Sequence, residues 1–365
     1  MSWLLAFLGF AALIILHEAG HFTAAKAVGM KVEKFYLFFP PKLAAVRRGE
    51  TEYGIGWIPL GGFVKIAGMN PDEKLPPEDA HRGYYAQPVW KRIVVIAAGP
   101  FVNLLIAFVI LFALGFSLQE PTSIAVGAVE RDAPADGVLE PGDRVIAVNG
   151  VQVRDASPEQ QRAITESFQR FRCEGALTDG CRATEKATIT VERDGERHTL
   201  EVRPFYDGEL ERFRMGIAFE LTDLVPVDSS PGDAATWALD RMWFVTERTA
   251  EVFVNILDPE TREQISGVVG SYEVTRQSFA FDTRQAFGVL ALISLSLAII
   301  NLFPFLPLDG GHIFWSLVEK VRRRPVSFRT MERASVVGFA LVVMLFLIGL
   351  TNDIDRLTGE GFSVR

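Results

Sequence analysis

One motif in the sequence has residue types and spacing suited to metal-assisted hydrolysis. His17 and His21 lie four positions apart, and Glu18 follows the first histidine. Residues at i and i+4 share one face of an α-helix, so both imidazoles can reach a single metal ion with the carboxylate beside it. Two neutral imidazoles leave room for a third ligand and a water, whose proton Glu18 can accept. A plain apolar helix is the weaker alternative, because buried imidazoles and carboxylates need partners.

A third ligand is expected from another apolar stretch at the same depth. Asp309 directly follows the apolar run 287–308, which is interrupted by prolines, and two glycines come after it. Irregular backbone at membrane depth survives only where protein or a watery cavity satisfies it. We therefore predict Asp309 as the third ligand and rank His312 below it; two histidines and one carboxylate favour zinc. His81 and His198 are expected to be ordinary surface residues.

The composition identifies the kind of chain that must position this motif. Of 365 residues, 49% are hydrophobic and 22% charged, which excludes a disordered chain. A net charge of -8, without a basic patch outside short loops, argues against nucleic-acid binding. Only two cysteines are present, which excludes a scaffold held by disulfides.

Four apolar stretches predict a polytopic α-helical membrane protein with about four transmembrane helices. The predicted spans are 1–30, 92–118, 285–312 and 335–351. The first is not a signal peptide, since it lacks a basic start and a small-residue cleavage site. Ionisable residues inside a membrane span are by default a hypothesis of function, which agrees with the motif.

The short loops predict the orientation of the spans. Lys and Arg are scattered over 26–92, and they recur between Lys320 and Arg333. Because basic short loops stay in the cytosol, both segments should be cytosolic, with the termini and the long segment after 118 outside. This arrangement brings His17, His21 and Asp309 together near the cytosolic side.

The predicted exterior segment resembles a PDZ domain. Leu139-Glu140-Pro141-Gly142-Asp143 leads into an apolar strand that ends at Asn149-Gly150, a strong tight-hairpin signal. PDZ domains bind extended peptides by adding them to a sheet edge. A small β-rich domain without a ligand groove is the alternative. Cys173 and Cys181 lie in this segment, where a disulfide is expected in an oxidising compartment; two unpaired thiols are the other interpretation.

The motifs together resemble the site-2 proteases, which are intramembrane zinc metalloproteases, and within them the bacterial regulator-of-sigma-E type. The resemblance rests on His17-Glu18-x-x-His21, on Asn301-x-x-Pro304 followed by Leu308-Asp309-Gly310, and on the PDZ-like segment. Two further segments also match the family's patterns: Gly99-Pro100-Phe101-Val102-Asn103 and Ser266-Gly267-Val268-Val269-Gly270.

The resemblance implies a role for each matching residue. It implies zinc bound by His17, His21 and Asp309, Glu18 as general base, and Asn301 assisting by polarising or positioning substrate. It also implies a membrane-associated β-hairpin in which an unwound substrate adds as a strand along Gly61, Gly62, Phe63 and Val64.

The resemblance completes the predicted organisation. The substrates would be single-span membrane proteins already cut outside a bacterial inner membrane, for example an anti-sigma factor or a remnant signal peptide. The PDZ domain would meet an exterior peptide, and the bilayer would surround the spans. Between the four spans we predict a hairpin and cytosolic loop at 31–91, a PDZ domain at 119–207, a strand and amphipathic helix at 208–284, a basic cytosolic loop at 313–334 and a tail at 352–365.

Two departures and two alternatives accompany this interpretation. The exterior segment has room for one PDZ domain rather than two. In addition, Leu306 replaces the family's second proline, and from this replacement we expect a small local shift and intact zinc binding.

One alternative function is that of a membrane peptidase that trims prenylated C-termini, whose third ligand would be a downstream glutamate. The other is a non-catalytic PDZ scaffold with a structural metal, for which Glu18 would have no use.

Overall fold

The computed structural model describes residues 1–70, 73–208, 210–256, 258–324 and 326–359. The chain consists of a helical unit, residues 1–115 with those from 230 onward, and a β unit, Phe116–Ser229. The helices are α1 (Ser2–Ala27), α2 (Val89–Gly115), α3 (Pro158–Glu166), α4 (Pro231–Val254), α5 (Pro259–Glu263), α6 (Val268–Phe281), α7 (Thr283–Asn301), α8 (Asp309–Arg322) and α9 (Phe328–Thr358). The strands are β1 (Val32–Arg48), β2 (Thr51–Ile66), β3 (Gln119–Val129), β4 (Arg144–Val148), β5 (Val151–Gln152), β6 (Ala187–Arg193), β7 (Glu196–Val202), β8 (Phe205–Asp207), β9 (Arg212–Arg214) and β10 (Ile217–Pro226).

Four helices of the described chain are long and apolar enough to cross a membrane. They are α1, α2, α7 and most of α9, and each corresponds to a predicted apolar stretch. The boundaries differ from those predicted. The third span ends at Asn301 instead of 312, because the proline-containing segment after it cannot continue the helix. The fourth helix runs from Phe328 to Thr358, and residues 360–365 of the predicted tail lie outside the described residues.

Most of the segment 313–334, predicted as a basic cytosolic loop between two spans, is helical. α8 runs from Asp309 to Arg322 and buries Gly310, Gly311 and Ser316 on one side. Its basic residues cluster in the last turn, where cations interact favourably with the helix dipole. The positive charge therefore marks the end of a helix here.

α2 is the central helix of the helical unit. It packs against α1, α4, α7 and α8, and small residues allow the close approaches. A Cβ at Gly20 of α1 would lie 2.5 Å from the carbonyl oxygen of Ala98, and one at Gly115 would lie 2.9 Å from Ala234 of α4. Backbone-to-backbone contact of this kind favours small residues at membrane helix interfaces.

α4 is the amphipathic helix expected from the sequence at 208–284. Ser230 and Asp233 form a capping box at its start, and Ala234 and Ala238 are buried. Trp243 on the helix is 71% exposed. Near its other end, the ring of Phe253 lies 4.2 Å from that of Phe303, in the segment between α7 and α8. The face of α4 that carries Ala234 and Ala238 therefore packs on protein, whereas Trp243 lies outside this packed face.

β1 and β2 form a two-stranded antiparallel sheet whose strands bend along their length. Tyr36 of β1 lies opposite both Gly54 and Phe63 of β2, while Gly54 also lies opposite Ala45. The register therefore places residues 62–66 along one margin of the sheet, with residues 32–37 as their neighbours. Several large apolar side chains on the sheet are exposed: Leu43, Val46, Ile55 and Trp57.

The β unit contains a sheet in the order β10-β3-β4-β6-β7, with β5 paired to β4. β4 turns into β5 at Asn149-Gly150, and β6 pairs with β7 across Asp194-Gly195, as the turn residues indicate. β10 pairs with β3 along Gln119–Val129, so the unit continues to Ser229, past the predicted boundary at 207.

The core of the β unit includes Val148, Ile164, Phe171 and Ile189. α3 packs Ile164 into this core and ends at Glu166. Cys173 and Cys181 form a disulfide, which closes a loop with a sequence separation of 8.

Candidate metal centre

α1 presents two histidines side by side within the helical unit. The Nε2 atoms of His17 and His21 lie 3.2 Å apart, and both residues are buried. Because they are separated by about one helical turn, both side chains lie on the same face of α1. The two rings are nearly perpendicular, at 81° with centroids 4.8 Å apart. The Nε2 lone pairs of His17 and His21 can therefore be directed at a single metal ion.

Asp309 reaches the same point from the first turn of α8. Its Oδ2 atom lies 3.3 Å from Nε2 of His17 and 3.3 Å from Nε2 of His21. That oxygen is buried and accepts no hydrogen bond from the described residues. A buried carboxylate oxygen without a hydrogen-bond donor is costly unless a cation neutralises it.

The two glycines after Asp309 allow α8 to begin against the preceding segment. A Cβ at Gly310 would lie 2.2 Å from the carbonyl oxygen of Leu302, and one at Gly311 would lie 2.5 Å from the nitrogen of Leu306. Only glycine fits such close backbone approach. Leu306, which stands where the related pattern has proline, is buried.

The three atoms match one face of a tetrahedral zinc site. Their separations are 3.2, 3.3 and 3.3 Å. Zinc bonds to nitrogen and oxygen of roughly 2.0–2.1 Å correspond to tetrahedron edges of about 3.3 Å. Two imidazoles with one carboxylate also form a donor set found in catalytic zinc sites. Among the described residues, these three form the group able to hold a metal.

The histidine ring atoms facing away from this point contact α2. Nδ1 of His21 lies 2.9 Å from the carbonyl oxygen of Val95, to which it can only donate. This leaves the Nε2 lone pair of neutral His21 available for a metal. Nδ1 of His17 lies 3.2 Å from the side-chain amide nitrogen of Asn103.

Between these two contacts, Gly99 makes room for both rings. A Cβ at this position would lie 2.2 Å from Nε2 of His21 and 2.9 Å from Cε1 of His17. The sequence marked Gly99 and Asn103 as part of a pattern without assigning them a role. The one-helical-turn spacing of Val95, Gly99 and Asn103 was the available signal, because it places all three on one face of α2.

Glu18 lies next to the histidines but is not one of the three ligands. Its side chain is half-buried and contacts β2, where a Cβ at Gly62 would lie 2.1 Å from its Cγ atom. The margin of the sheet that includes Gly62, Phe63 and Val64 thus passes the carboxylate, and Gly61 directly precedes this margin in the chain. A backbone without a side chain at Gly62 permits this approach.

A partly buried ion pair, which sequence reasoning missed, joins α2 to α8. Arg92 donates two hydrogen bonds to Glu319, of 3.0 and 2.7 Å. The guanidinium also lies over the rings of Tyr84 and Tyr85. Paired donors and acceptors of this kind fix geometry as well as charge, so the pair restrains the helix that begins with Asp309.

The remaining candidates lie outside this group. Asn301 is the last residue of α7 and is half-buried; within the described residues, no hydrogen bond joins it to Glu18 or to the three ligand candidates. His312, the rival ligand, is half-buried on α8 and does not belong to the group of three. His81 and His198 are exposed.

Comparison with known proteins connects this geometry to a family. Residues 5–345 match the model of "Peptidase family M50". The chain is 30% identical to the zinc metalloprotease Rip1 of Mycobacterium tuberculosis, across 93% of this chain and 94% of that protein. It is 31% identical to a putative zinc metalloprotease of Nostoc sp., across 99% and 98% of the two chains. A putative zinc metalloprotease of Clostridium perfringens is 29% identical across 97% and 98%.

Proposed function

This chain belongs to peptidase family M50, the site-2 proteases, and is a zinc metalloprotease; we propose that it cleaves peptide bonds within or beside transmembrane segments of other membrane proteins. The observation that carries the proposal is the buried triangle of His17, His21 and Asp309 inside a bundle of apolar helices. A hydrolytic site at this place suits a substrate that is itself in the membrane. The same family membership favours a peptidase over the non-catalytic scaffold.

His17, His21 and Asp309 would hold the zinc ion, and the 3.2–3.3 Å separations of their donor atoms support this assignment. When bound, zinc supplies Lewis-acid chemistry that polarises the scissile carbonyl and makes water more acidic. Glu18, beside the ligands, takes the proton of the attacking water and later gives it to the leaving amine nitrogen. Asn301 would polarise or position the substrate near the end of α7.

The substrate would bind as an added strand along Gly61, Gly62, Phe63 and Val64. A transmembrane helix hides its carbonyl groups in internal hydrogen bonds, so it must unwind before hydrolysis. A strand at a sheet margin offers main-chain hydrogen bonds to an unwound segment. The contact between Gly62 and Glu18 supports this assignment, because a strand added there would pass close to the base. Residues that weaken a helix should therefore favour cleavage of a substrate.

The β unit would be a single PDZ domain outside the cytosol of a bacterial cell, where it meets an exterior peptide or the substrate. The tight turns at Asn149-Gly150 and Asp194-Gly195 and the Cys173–Cys181 disulfide support this assignment. The basic residues of the 26–92 segment and of α8 would then be cytosolic, with the metal centre near that side of the inner membrane. Substrates already shortened outside, such as an anti-sigma factor or a remnant signal peptide, fit this arrangement.

The test is cleavage, in membranes, of a single-span substrate already shortened on its exterior side. Wild type is compared with Glu18→Gln and with Glu78→Gln, which changes an exposed glutamate in the same way. We expect Glu18→Gln to lose cleavage while retaining its zinc, and Glu78→Gln to behave as wild type. Equal cleavage by wild type and Glu18→Gln would contradict the role of Glu18. A prenylated peptide cleaved in place of the transmembrane substrate would favour the other peptidase class.

A further inference from the structure

Asn103 is a buried polar residue in the apolar helix α2. It is fully buried, and its side-chain Oδ1 atom has no hydrogen-bond partner among the described residues. An amide placed at membrane depth is expensive unless it hydrogen-bonds, so such residues are expected to have a function. The side-chain amide nitrogen, Nδ2, lies 3.2 Å from Nδ1 of His17.

The orientation of that amide decides which nitrogen of neutral His17 carries the proton. If the amide nitrogen faces His17, Nδ1 has to accept and the imidazole proton lies on Nε2, the atom that faces Asp309. Nε2 then has no lone pair for a metal. A half-turn of the amide places Oδ1 against Nδ1, which then carries the proton and donates it, and Nε2 becomes free.

The partner of His21 indicates which orientation metal binding requires. Nδ1 of His21 lies 2.9 Å from the carbonyl oxygen of Val95, an atom that can only accept. Val95 and Asn103 lie two turns apart on the face of α2 that carries Gly99 between them. α2 therefore offers a backbone carbonyl as acceptor to His21, and after a half-turn of the Asn103 amide it would offer the amide oxygen as the corresponding acceptor to His17.

The backbone of Asn103, as distinct from its side chain, contacts a second helix. The Oγ atom of Ser294 in α7 donates a 2.9 Å hydrogen bond to the backbone carbonyl of Asn103. Both groups are buried. This bond ties α2 to α7 at the level of the side chain that contacts His17, without touching the imidazole.

We propose that Asn103 is a positioning residue that accepts a hydrogen bond from Nδ1 of His17 through Oδ1 and so keeps Nε2 of His17 free for zinc. This inference rests on the proposed metal site. Groups that orient metal-binding histidines typically change metal affinity by 10- to 100-fold when they are removed. Asn103 acts through His17, so its effect is expected on zinc affinity and not only on turnover.

The test is zinc affinity of the purified full chain, measured by competition with a chelator of known affinity. Asn103→Leu removes both the donor and the acceptor at similar volume, and we expect affinity to fall by roughly 10- to 100-fold. Asn103→Asp keeps an acceptor and has no donor, and should bind zinc at least as tightly as wild type. Ser294→Ala, which removes the bond to the Asn103 backbone alone, is the matched control and should stay close to wild type.

Each result has one meaning. Wild-type affinity in Asn103→Leu overturns the proposal, as does a tenfold loss in Asn103→Asp, because an acceptor would then not be what His17 requires. If Asn103→Leu fails to fold, the zinc affinity of Asn103→Asp alone decides the proposal.

His17→Ala is measured in parallel, because it tests the metal site itself. If His17→Ala keeps full zinc affinity, the metal site is misassigned. If His17→Ala loses zinc while Asn103→Leu does not, only the role of Asn103 is contradicted. The absorption spectrum of the cobalt-substituted chain should change in Asn103→Leu and not in Ser294→Ala.

Discussion

Gly62 of β2 and Glu18 of α1 are in direct contact, with no space between them for a further carbon atom. A Cβ at Gly62 would lie 2.1 Å from Cγ, 2.9 Å from Cδ and 3.1 Å from Oε1 of Glu18. The backbone of the sheet margin is thereby held against the proposed general base. The contact joins the segment proposed to bind substrate to the residue proposed to transfer the proton.

Gly62→Ala is expected to reduce peptidase activity by about 100-fold, since displacing a reacting group by roughly 1 Å has effects of this size. Zinc content should not change, because the added methyl group meets Glu18 and not a ligand. The measurement is cleavage of the single-span substrate together with zinc content. Gly288→Ala is the control, since its Cβ would meet nothing closer than Leu114 at 3.8 Å. Full activity in Gly62→Ala would show that Glu18 has room to move.

Gly99→Ala should lose zinc as its primary effect, whereas Gly62→Ala should keep its zinc. Its Cβ would lie 2.2 Å from Nε2 and 2.5 Å from Cε1 of His21, so the ring must leave its place. Alanine has a higher helix propensity than glycine, so α2 itself is not weakened. Zinc stoichiometry after dialysis measures the effect, again with Gly288→Ala as control. Stoichiometric zinc in Gly99→Ala would contradict the assignment of His21 as a ligand.

Breaking the Arg92–Glu319 pair should destabilise the helical unit. The Arg92 side chain is 4% exposed and that of Glu319 is 25% exposed, so Arg92→Met leaves a carboxylate without its partner in a largely buried place. Removing one member of a buried pair costs about 3–5 kcal/mol, whereas replacing both is often close to neutral.

Unfolding of Arg92→Met, Glu319→Met and the double variant in detergent tests this expectation as a double-mutant cycle. The double variant should be more stable than either single variant. Additive losses would show that the two side chains act independently.

The stabilisation that Glu50 contributes should depend on pH. Hydrogen bonds from Arg82 and from Lys26 lower the pKa of Glu50 from its ordinary value of 4.5 to about 2. Because the carboxylate has a lower pKa when folded than when unfolded, its contribution is complete above about pH 4.5 and is lost as the pH falls toward 2. The Lys26 contact joins the turn between β1 and β2 to the end of α1, and the Arg82 contact joins it to the segment that precedes α2.

The check is the melting temperature of wild type minus that of Glu50→Gln across this range. The difference should be largest at neutral pH and should shrink as the pH falls below 4.5. Glu78→Gln, which alters an exposed carboxylate, should give a small difference at every pH. A difference between wild type and Glu50→Gln that does not change with pH would exclude an ionised Glu50 as its source.

Features that neighbouring residues encode could be predicted from the sequence. His17 and His21 share a helix face because they are four positions apart, and long uncharged runs become helices when they are apolar enough to span a membrane. Asn149-Gly150 and Asp194-Gly195 produce tight turns because these residues tolerate positive φ, and the structure shows it at all four of them. Ser230 caps α4 with its own hydroxyl.

Which distant residues meet became evident only from the packing of the folded chain. Val95 and Asn103 contact His21 and His17 across separations of 74 and 86 residues, and Arg92 meets Glu319 across 227. β10 likewise extends the β unit because it pairs with β3. Local propensity carries no information about such contacts, since they depend on how helices with small residues pack and on which buried polar groups find partners. The same reason explains why α8 could not be predicted from the sequence, since its start depends on the packing of Gly310, Gly311 and Ser316.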